Sequence, residues 1–233
     1  MPYSNVQKKA EADFPTRWGH FRILGFEGTR DTSAPGCPPD PAATPSVDGL
    51  VALVHGDIHA VAPIVRIHSQ CLTGDVFGSL RCDCRPQLEL ALARIAAEGS
   101  GILLYEQQEG RGIGLMAKLQ AYQLQDQGRD TVEANLELGY AADCRAYELP
   151  AAVLRVLGVS AVRLMTNNPD KVAALESAGI TVTERISAEV QPLETFRHYL
   201  ETKQQKMGHI IEDLNDPNQL RDLDERDESP RVS

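Results

Sequence analysis

The sequence predicts an α/β protein: a layered α/β/α domain on a mixed sheet, with an N-terminal β-hairpin and a C-terminal helix. Three observations carry that expectation. From about residue 50 onward, strand-like runs alternate with stretches of helical apolar spacing, the pattern of a sheet whose faces are covered by helices. Two apolar runs, Phe21–Gly25 and Gly49–His55, come first and read as a hairpin. A last helix is expected over residues 192–208.

The hairpin has a long tip. Residues 31–48 hold Pro35, Pro38, Pro39, Pro41 and Pro45 among small and polar residues, which reads as a flexible, dispensable excursion. Cys37 lies in that tip and is given no role. Val65–His68 and Gly101–Glu106 read as strands. Between them, Pro86–Glu98 places Leu88, Leu92 and Ile95 at helical spacing and ends near Gly99. Ile113–Gln127, closed by Gly128, and Leu149–Leu157, closed by Gly158, are further helices. Ala161–Thr166 reads as a strand, Pro169–Ala178 as a helix and Ile180–Arg185 as a strand. Residues 1–210 are expected to form a single domain. The tail 211–233 carries eight acids against three arginines and is expected to be disordered.

Composition narrows the function classes. A chain of 233 residues, 42% apolar, can bury a substantial core. A formal charge of −10 argues against nucleic acid as a partner. Much of that charge sits in the tail, so a local basic pocket remains possible. No apolar stretch has the length of a membrane span. The start Met1-Pro2-Tyr3-Ser4-Asn5 lacks the apolar core of a secretion signal, so the cytoplasm is the expected location. The five cysteines are Cys37, Cys71, Cys82, Cys84 and Cys144. An odd count without a signal argues against a disulfide framework and for reduced thiols in metal binding or catalysis.

Cys71 and the pair Cys82-Asp83-Cys84 are the strongest local signal. Three thiolates are too few for the closed sphere of a structural zinc and suit an open site with water in fourth place. Zinc in such a site lowers the pKa of bound water toward ~7. The bland alternative is three small side chains filling core space. His68 is the nearest residue that would close the sphere instead.

Two turns have the character of anion sites. Glu109-Gly110-Arg111-Gly112-Ile113-Gly114 follows a strand and opens a helix; its glycines admit close approach and Arg111 offers a charged fork. Thr166-Asn167-Asn168-Pro169-Asp170-Lys171 ends a strand and caps a helix. Lys171 there opposes the helix dipole, which an anion would offset. A tight strand–helix turn and a plain cap are the alternatives. Asp143 and Arg145, two apart on an extended segment, share a side; most such pairs are surface ion pairs.

Together these segments resemble GTP cyclohydrolase II. The resemblance rests on Arg66-Ile67-His68-Ser69-Gln70-Cys71-Leu72-Thr73-Gly74-Asp75, Ser79-Leu80-Arg81-Cys82-Asp83-Cys84, Gln107-Gln108-Glu109-Gly110-Arg111-Gly112-Ile113-Gly114-Leu115, Asp130-Thr131-Val132-Glu133-Ala134-Asn135 and Leu164-Met165-Thr166-Asn167-Asn168-Pro169, in that order, within residues 14–209. It implies a cytoplasmic homodimer with one zinc per subunit and magnesium on the triphosphate. The implied reaction converts GTP to a diaminopyrimidinone ribosyl phosphate, formate and pyrophosphate. Cys71, Cys82 and Cys84 match the zinc ligands. Arg66, Ile67, His68, Ser69, Gln70, Gln87, Glu109, Gly110, Arg111, Thr131, Thr166 and Lys171 match nucleotide contacts, and Tyr122 a tyrosine beside the guanine. Glu109 is a candidate acceptor for the guanine edge. Asp143 and Arg145 match a proton acceptor and a nucleophile. A guanidinium with pKa above ~12 is a poor nucleophile, so a phosphate clamp is the alternative role for Arg145.

One departure stands inside a motif: Gln70 occupies a position where the family commonly has glutamate. It keeps an acceptor and loses a charge. The rival readings are an enzyme that stops at a formylated pyrimidine and a silent, GTP-binding paralog. A zinc nucleotide deaminase is disfavoured, because its His/Cys–Glu and Pro-Cys-x-x-Cys signature is missing.

Overall fold

The computed structural model describes residues 3–30, 37, 46–190 and 194–211. Seven strands form one mixed sheet in the order β1-β2-β3-β5-β4-β6-β7. Strands β1 (Tyr3–Thr16), β2 (Gly19–Arg30), β3 (Ser46–His55) and β5 (Gly101–Glu106) are antiparallel neighbours. Strands β5, β4 (Ile64–Ser69), β6 (Ala161–Met165) and β7 (Thr181–Ile186) are parallel. The expected hairpin is β2 paired with β3.

Period-two alternation sorts side chains to the two faces. On β5, Ile102 and Leu104 join a core with Leu149, Val153 and Leu154 of α4 (Glu148–Val156) and Leu175 of α5 (Pro169–Ser177). Leu103 points the other way, toward Ala91, Leu92 and Ile95 of α1 (Cys84–Glu98). On β4, Val65 and Ile67 belong to the first core and Ile64 to the second. The chain passes from β4 to β5 through α1, then returns through α4 to β6 on the other side of β4. Such a reversal of strand order opens a crevice at the carboxyl ends of the parallel strands. Helices α2 (Leu115–Asp126), α3 (Thr131–Glu137) and α6 (Glu194–Met207) complete the set; α2 packs on α3, and α3 on α6.

Several local features depart from expectation. β1 is polar and exposed along most of its length, so no apolar alternation announces it. Its backbone ladder to β2, closed by a turn in which Thr16 Oγ1 accepts from Trp18 N and Gly19 N (both 3.2 Å), makes it an edge strand. The second helix starts at Leu115 and not Ile113, because Gly114 has φ +88°. Helix α3 is short, set by an Asp130–Glu133 capping box. Ser46–Asp48 of the supposed excursion belong to β3. Apart from Cys37, the rest of the excursion and the acidic tail beyond residue 211 lie outside the described residues.

Cys37 is disulfide-bonded to Cys144, with Cα atoms 5.6 Å apart across a sequence separation of 107. This corrects both the expectation of reduced thiols throughout and the reading of Cys37 as without a role. The odd total conceals a split: three cysteines cluster free and the other two pair. Thiol titration of denatured, chelator-stripped and unreduced protein is therefore expected to count three reactive groups, and five after reduction. Five before reduction would refute the bond.

Candidate active site

Cys71 follows β4 and caps a π-helical turn, Leu72–Val76; Cys82 lies in the next loop; Cys84 opens α1. Their Sγ atoms all lie within 4.8 Å of one another. Gly74 forms the floor beneath them. A Cβ added there would meet Cys82 Sγ at 3.0 Å, Cys71 Sγ at 3.1 Å and Cys84 Cβ at 3.2 Å. Gly74 N and Lys118 Nζ both donate to Cys71 Sγ, at 3.4 and 3.1 Å. Hydrogen bonds from Cys82 and Cys84, with Lys118 assisting, hold Cys71 well below the ordinary thiol range; the same bond to Cys71 pushes Cys82 up to about 11. A soft, crowded, three-sulfur donor set with an adjacent cation suits one thiophilic metal ion such as zinc. His68 takes no part, since its Nε2 lies 3.2 Å from both oxygens of Asp75.

Beside the sulfurs, Glu109 ties the metal loop to the turn after β5. One oxygen accepts from Leu72 N at 2.6 Å; the other accepts from Lys118 Nζ at 2.7 Å and from Gly110 N at 3.0 Å. The sequence reading gave this carboxylate to the guanine edge. The structure commits most of its acceptor capacity to the protein itself. Tyr122 OH lies 3.2 Å from Thr73 Oγ1, and its ring faces Arg81 at 4.8 Å and Lys118 at 5.6 Å. Burial raises the Tyr122 pKa, so the phenol keeps its proton. Ser69, Gln70, Glu109, Tyr122 and Thr131 line this cavity together with the three cysteines.

An adjoining cavity gathers cations. Arg66, Arg111, Arg145, Lys171 and Lys203 line it, along with Gln87 and Thr166. Arg66 reaches Met165 O through Nη1 at 3.1 Å and Gln87 Oε1 through Nη2 at 2.5 Å. Lys171 Nζ donates to Ile67 O at 2.8 Å. Burial, then Arg66 and Arg145, hold the Lys171 ammonium well below its ordinary value. Among the described residues, Arg111 Nη1 and Nη2 and Arg66 Nε are buried donors without an acceptor. Buried donors of this kind call for an anion. Asp143 holds Arg145 by a fork: Nε lies 2.9 and 3.1 Å from the two carboxylate oxygens, and Nη2 bonds the second. Burial opposes the charge on Arg145, but Tyr147 and Asp143 outweigh it and raise its pKa.

The turn Glu109–Gly112 brings the two cavities together. Gly110 and Arg111 are both left-handed, at φ +62° and +61°, a conformation that is strained for arginine. Arg111 O accepts from Cys144 N at 2.9 Å. A Cβ on Gly112 would meet Cys144 O at 2.7 Å. The turn thus packs directly on the segment that carries Asp143 and Arg145.

The model of the family described as GTP cyclohydrolase II matches residues 7–187. The chain belongs to that family. It is 51% identical over 207 residues to a GTP cyclohydrolase-2 of Enterobacter sp. (strain 638), covering 88% of this chain and 98% of that one. The same figures hold for a GTP cyclohydrolase-2 of Escherichia coli (strain K12 / DH10B). It is 49% identical to the riboflavin biosynthesis protein RibBA of Chlorobium phaeovibrioides (strain DSM 265 / 1930), covering 88% of this chain and 47% of that longer one. Membership in the GTP cyclohydrolase II family makes the chain a hydrolase of riboflavin biosynthesis.

Of the residues expected from the sequence, the structure brings all but two side chains to the lining of the two cavities. Ile67 is fully buried in the core and can face a ligand only through its backbone, whose carbonyl Lys171 occupies; Asp143 stands behind the lining, bonded to Arg145. Sequence reasoning missed Gly74, Asp75, Lys118, Tyr199, Lys203 and His209. Gly74 and Asp75 stand inside a motif already singled out. Lys118, Tyr199 and Lys203 sit on helices and His209 in the turn after α6, where nothing but the fold marks them. Replacing Gly74 by alanine is expected to weaken metal binding at the three sulfurs by about 10- to 100-fold, the scale of lost support around a metal site. Metal titration of the variant against the parent checks this, and unchanged affinity would remove Gly74 from the site.

Proposed function

We propose that this chain hydrolyses GTP with zinc held by Cys71, Cys82 and Cys84. The reaction opens the imidazole ring and releases formate and pyrophosphate. The product is 2,5-diamino-6-ribosylamino-4(3H)-pyrimidinone 5′-phosphate, in the first step of riboflavin biosynthesis. The observation that carries this reading is adjacency: a three-sulfur cluster and a pocket of buried cations share one crevice, with room for a purine on one side and phosphates on the other.

When bound, zinc supplies Lewis-acid activation of water beside the base. The protein's own groups divide the rest. Lys118 neutralises charge on Cys71 and Glu109. Tyr122 orients the base and, holding its proton, serves as a donor. Gln70 faces the base with an amide, which accepts and donates without charge. Arg66, Arg111, Lys171 and Thr166 bind the phosphates, with magnesium arriving on the triphosphate as part of the substrate.

Arg145 serves as a clamp on the phosphates. A nucleophilic arginine needs a free, deprotonated nitrogen. Asp143 instead occupies Nε and Nη2 and holds the guanidinium charged. Asp143 is in turn a weak base: burial raises its pKa, but the bonds to Arg145 outweigh that and lower it. The active unit in this reading is a cytoplasmic homodimer. Large exposed apolar side chains such as Phe77 and Met116 are consistent with a buried contact between copies, and no helix among the described residues is long and apolar enough to cross a membrane.

Zinc-loaded protein incubated with GTP and magnesium is expected to release formate and pyrophosphate in equal amounts with the pyrimidine, and chelation is expected to abolish formate. Zinc content with no pyrophosphate would favour a silent GTP-binding paralog; a formylated pyrimidine without formate would favour the partial reaction. Replacing Arg145 by lysine, which keeps the charge and loses the fork, is expected to slow pyrophosphate release by about 100-fold, the scale of one lost transition-state donor. Rapid-quench samples of the parent should carry no phosphoramidate. Finding one on Arg145 would overturn the clamp.

A further inference from the structure

The family match ends at residue 187, and α6 begins at Glu194. Yet α6 and the turn after it touch each part of the crevice. Lys206 pairs with Asp130 and, at 3.1 Å, with Glu133, the capping box of α3 beside Thr131. Ile210 N donates to Asn167 O at 2.9 Å, in the turn after β6. Lys203 Nζ lies 2.8 Å from Oδ1 of Asp83, the buried residue between Cys82 and Cys84. The other oxygen of Asp83 accepts from Gln87 Nε2 at 2.5 Å, and Gln87 Oε1 accepts from Arg66. One chain of polar contacts therefore runs from α6 through the metal loop to a phosphate-side arginine.

At the end of this segment His209 is held by its backbone, whose N–H donates to Lys203 O at 3.2 Å. Its side chain lines the cation pocket with Arg66, Arg111, Arg145 and Lys171. Its Nε2 is buried and, among the described residues, has no hydrogen-bond partner. The neighbouring arginines and lysines are donors only, so they offer an imidazole N–H nothing to bond. A phosphate oxygen would.

We propose that His209 is a substrate-binding residue that donates a hydrogen bond to the phosphates of GTP, and that Lys203 is the positioning residue that sets α6 over the pocket through Asp83. The inference rests on GTP occupying this pocket as proposed above. Burial and the charges of Lys203, Arg145, Lys171 and Arg111 press the His209 pKa down to about 2, so the ring meets the incoming phosphates as a neutral donor. A neutral donor adds a contact without adding to the charge that already crowds the pocket.

The test uses full-length, zinc-loaded protein with inorganic pyrophosphate and GTP as probes. Replacing His209 by alanine should raise the Kd for pyrophosphate and the KM for GTP by about 10- to 100-fold, as expected for a hydrogen bond to a charged group. Zinc content should not change, and kcat should move far less than KM. His209→Gln, which keeps an N–H donor, should recover part of the loss. In the parent, the imidazole nitrogen resonance that disappears in His209→Gln should shift when pyrophosphate is added, a readout that needs no alanine variant. Lys203→Met should raise the same KM, with rescue by Lys203→Arg. If the parent binds neither GTP nor pyrophosphate, the proposed function fails and this inference with it. If the parent binds both, an unshifted His209 resonance or an alanine variant with parental affinity overturns this inference alone.

Discussion

Buried positive charge in excess of its carboxylate partners is the constraint on which this structure turns. Arg66, Arg145, Lys171 and Lys203 meet at the carboxyl ends of β4 and β6 and beneath α6. Asp143 answers Arg145 and Asp83 answers Lys203. Among the described residues, Arg66 and Lys171 have carbonyl and amide oxygens as their hydrogen-bond partners. Burying a charge without a full partner is costly, and the cost appears as depressed pKa values for both groups, with burial as the leading cause in each. A polyanion supplies the missing charge. The fold thus stores an unfavourable arrangement that, in the proposed reading, the phosphates of the substrate relieve, and electrostatic pre-organisation of this kind favours a transition state that carries negative charge.

The same segments serve both ends of the crevice, so neither end is independent. β4 carries Arg66 toward the cation pocket and runs on toward Cys71 at the sulfur cluster. The loop Cys82-Asp83-Cys84 sets the carboxylate that pairs with Lys203 between two cysteines of that cluster. Glu109 fastens the metal loop to the turn that presents Arg111. The sulfur cluster and the arginines are therefore joined by short connections, backbone along β4 and side chains through Glu109 and Gln87. His68 fits this role: braced by Asp75 and stacked on Tyr105, with ring centroids 5.5 Å apart, it is a strut between β4 and the π-helical turn.

The sequence made legible whatever depends on periodicity or on dense local motifs. The apolar run Ile102-Leu103-Leu104 marks a strand, and the helical spacing of Leu88, Leu92 and Ile95 marks a helix that the structure places over one of its faces. The cysteine trio was readable because three soft ligands at close spacing have few other uses. β1 was not, because an edge strand exposed along most of its length, with only Tyr3 and Val6 packed on the core, leaves no apolar alternation. Nor was the occupation of Glu109: a motif gives the residue but not which lone pairs the fold has already taken. Lys118 and Lys203 reach the site from helices and His209 from the turn after α6, where a lone cation or histidine looks like any solvated surface until tertiary contacts orient it.

The proline-rich excursion gives the sharpest contrast between sequence and fold. By sequence it lay away from every functional motif. The Cys37–Cys144 bond ties it to the residue between Asp143 and Arg145. That loop is fixed from its other side as well, by the bond from Cys144 N to Arg111 O and by close packing on Gly112. These restraints act on Cys144 and leave the Arg145 fork to be set by Asp143 beside the Tyr147 ring. A guanidinium held so firmly at backbone and side chain suits a clamp, which needs a fixed charge. A nucleophile must travel toward phosphorus and rehybridise. The covalent tether and the ion pair therefore point to the same role for Arg145.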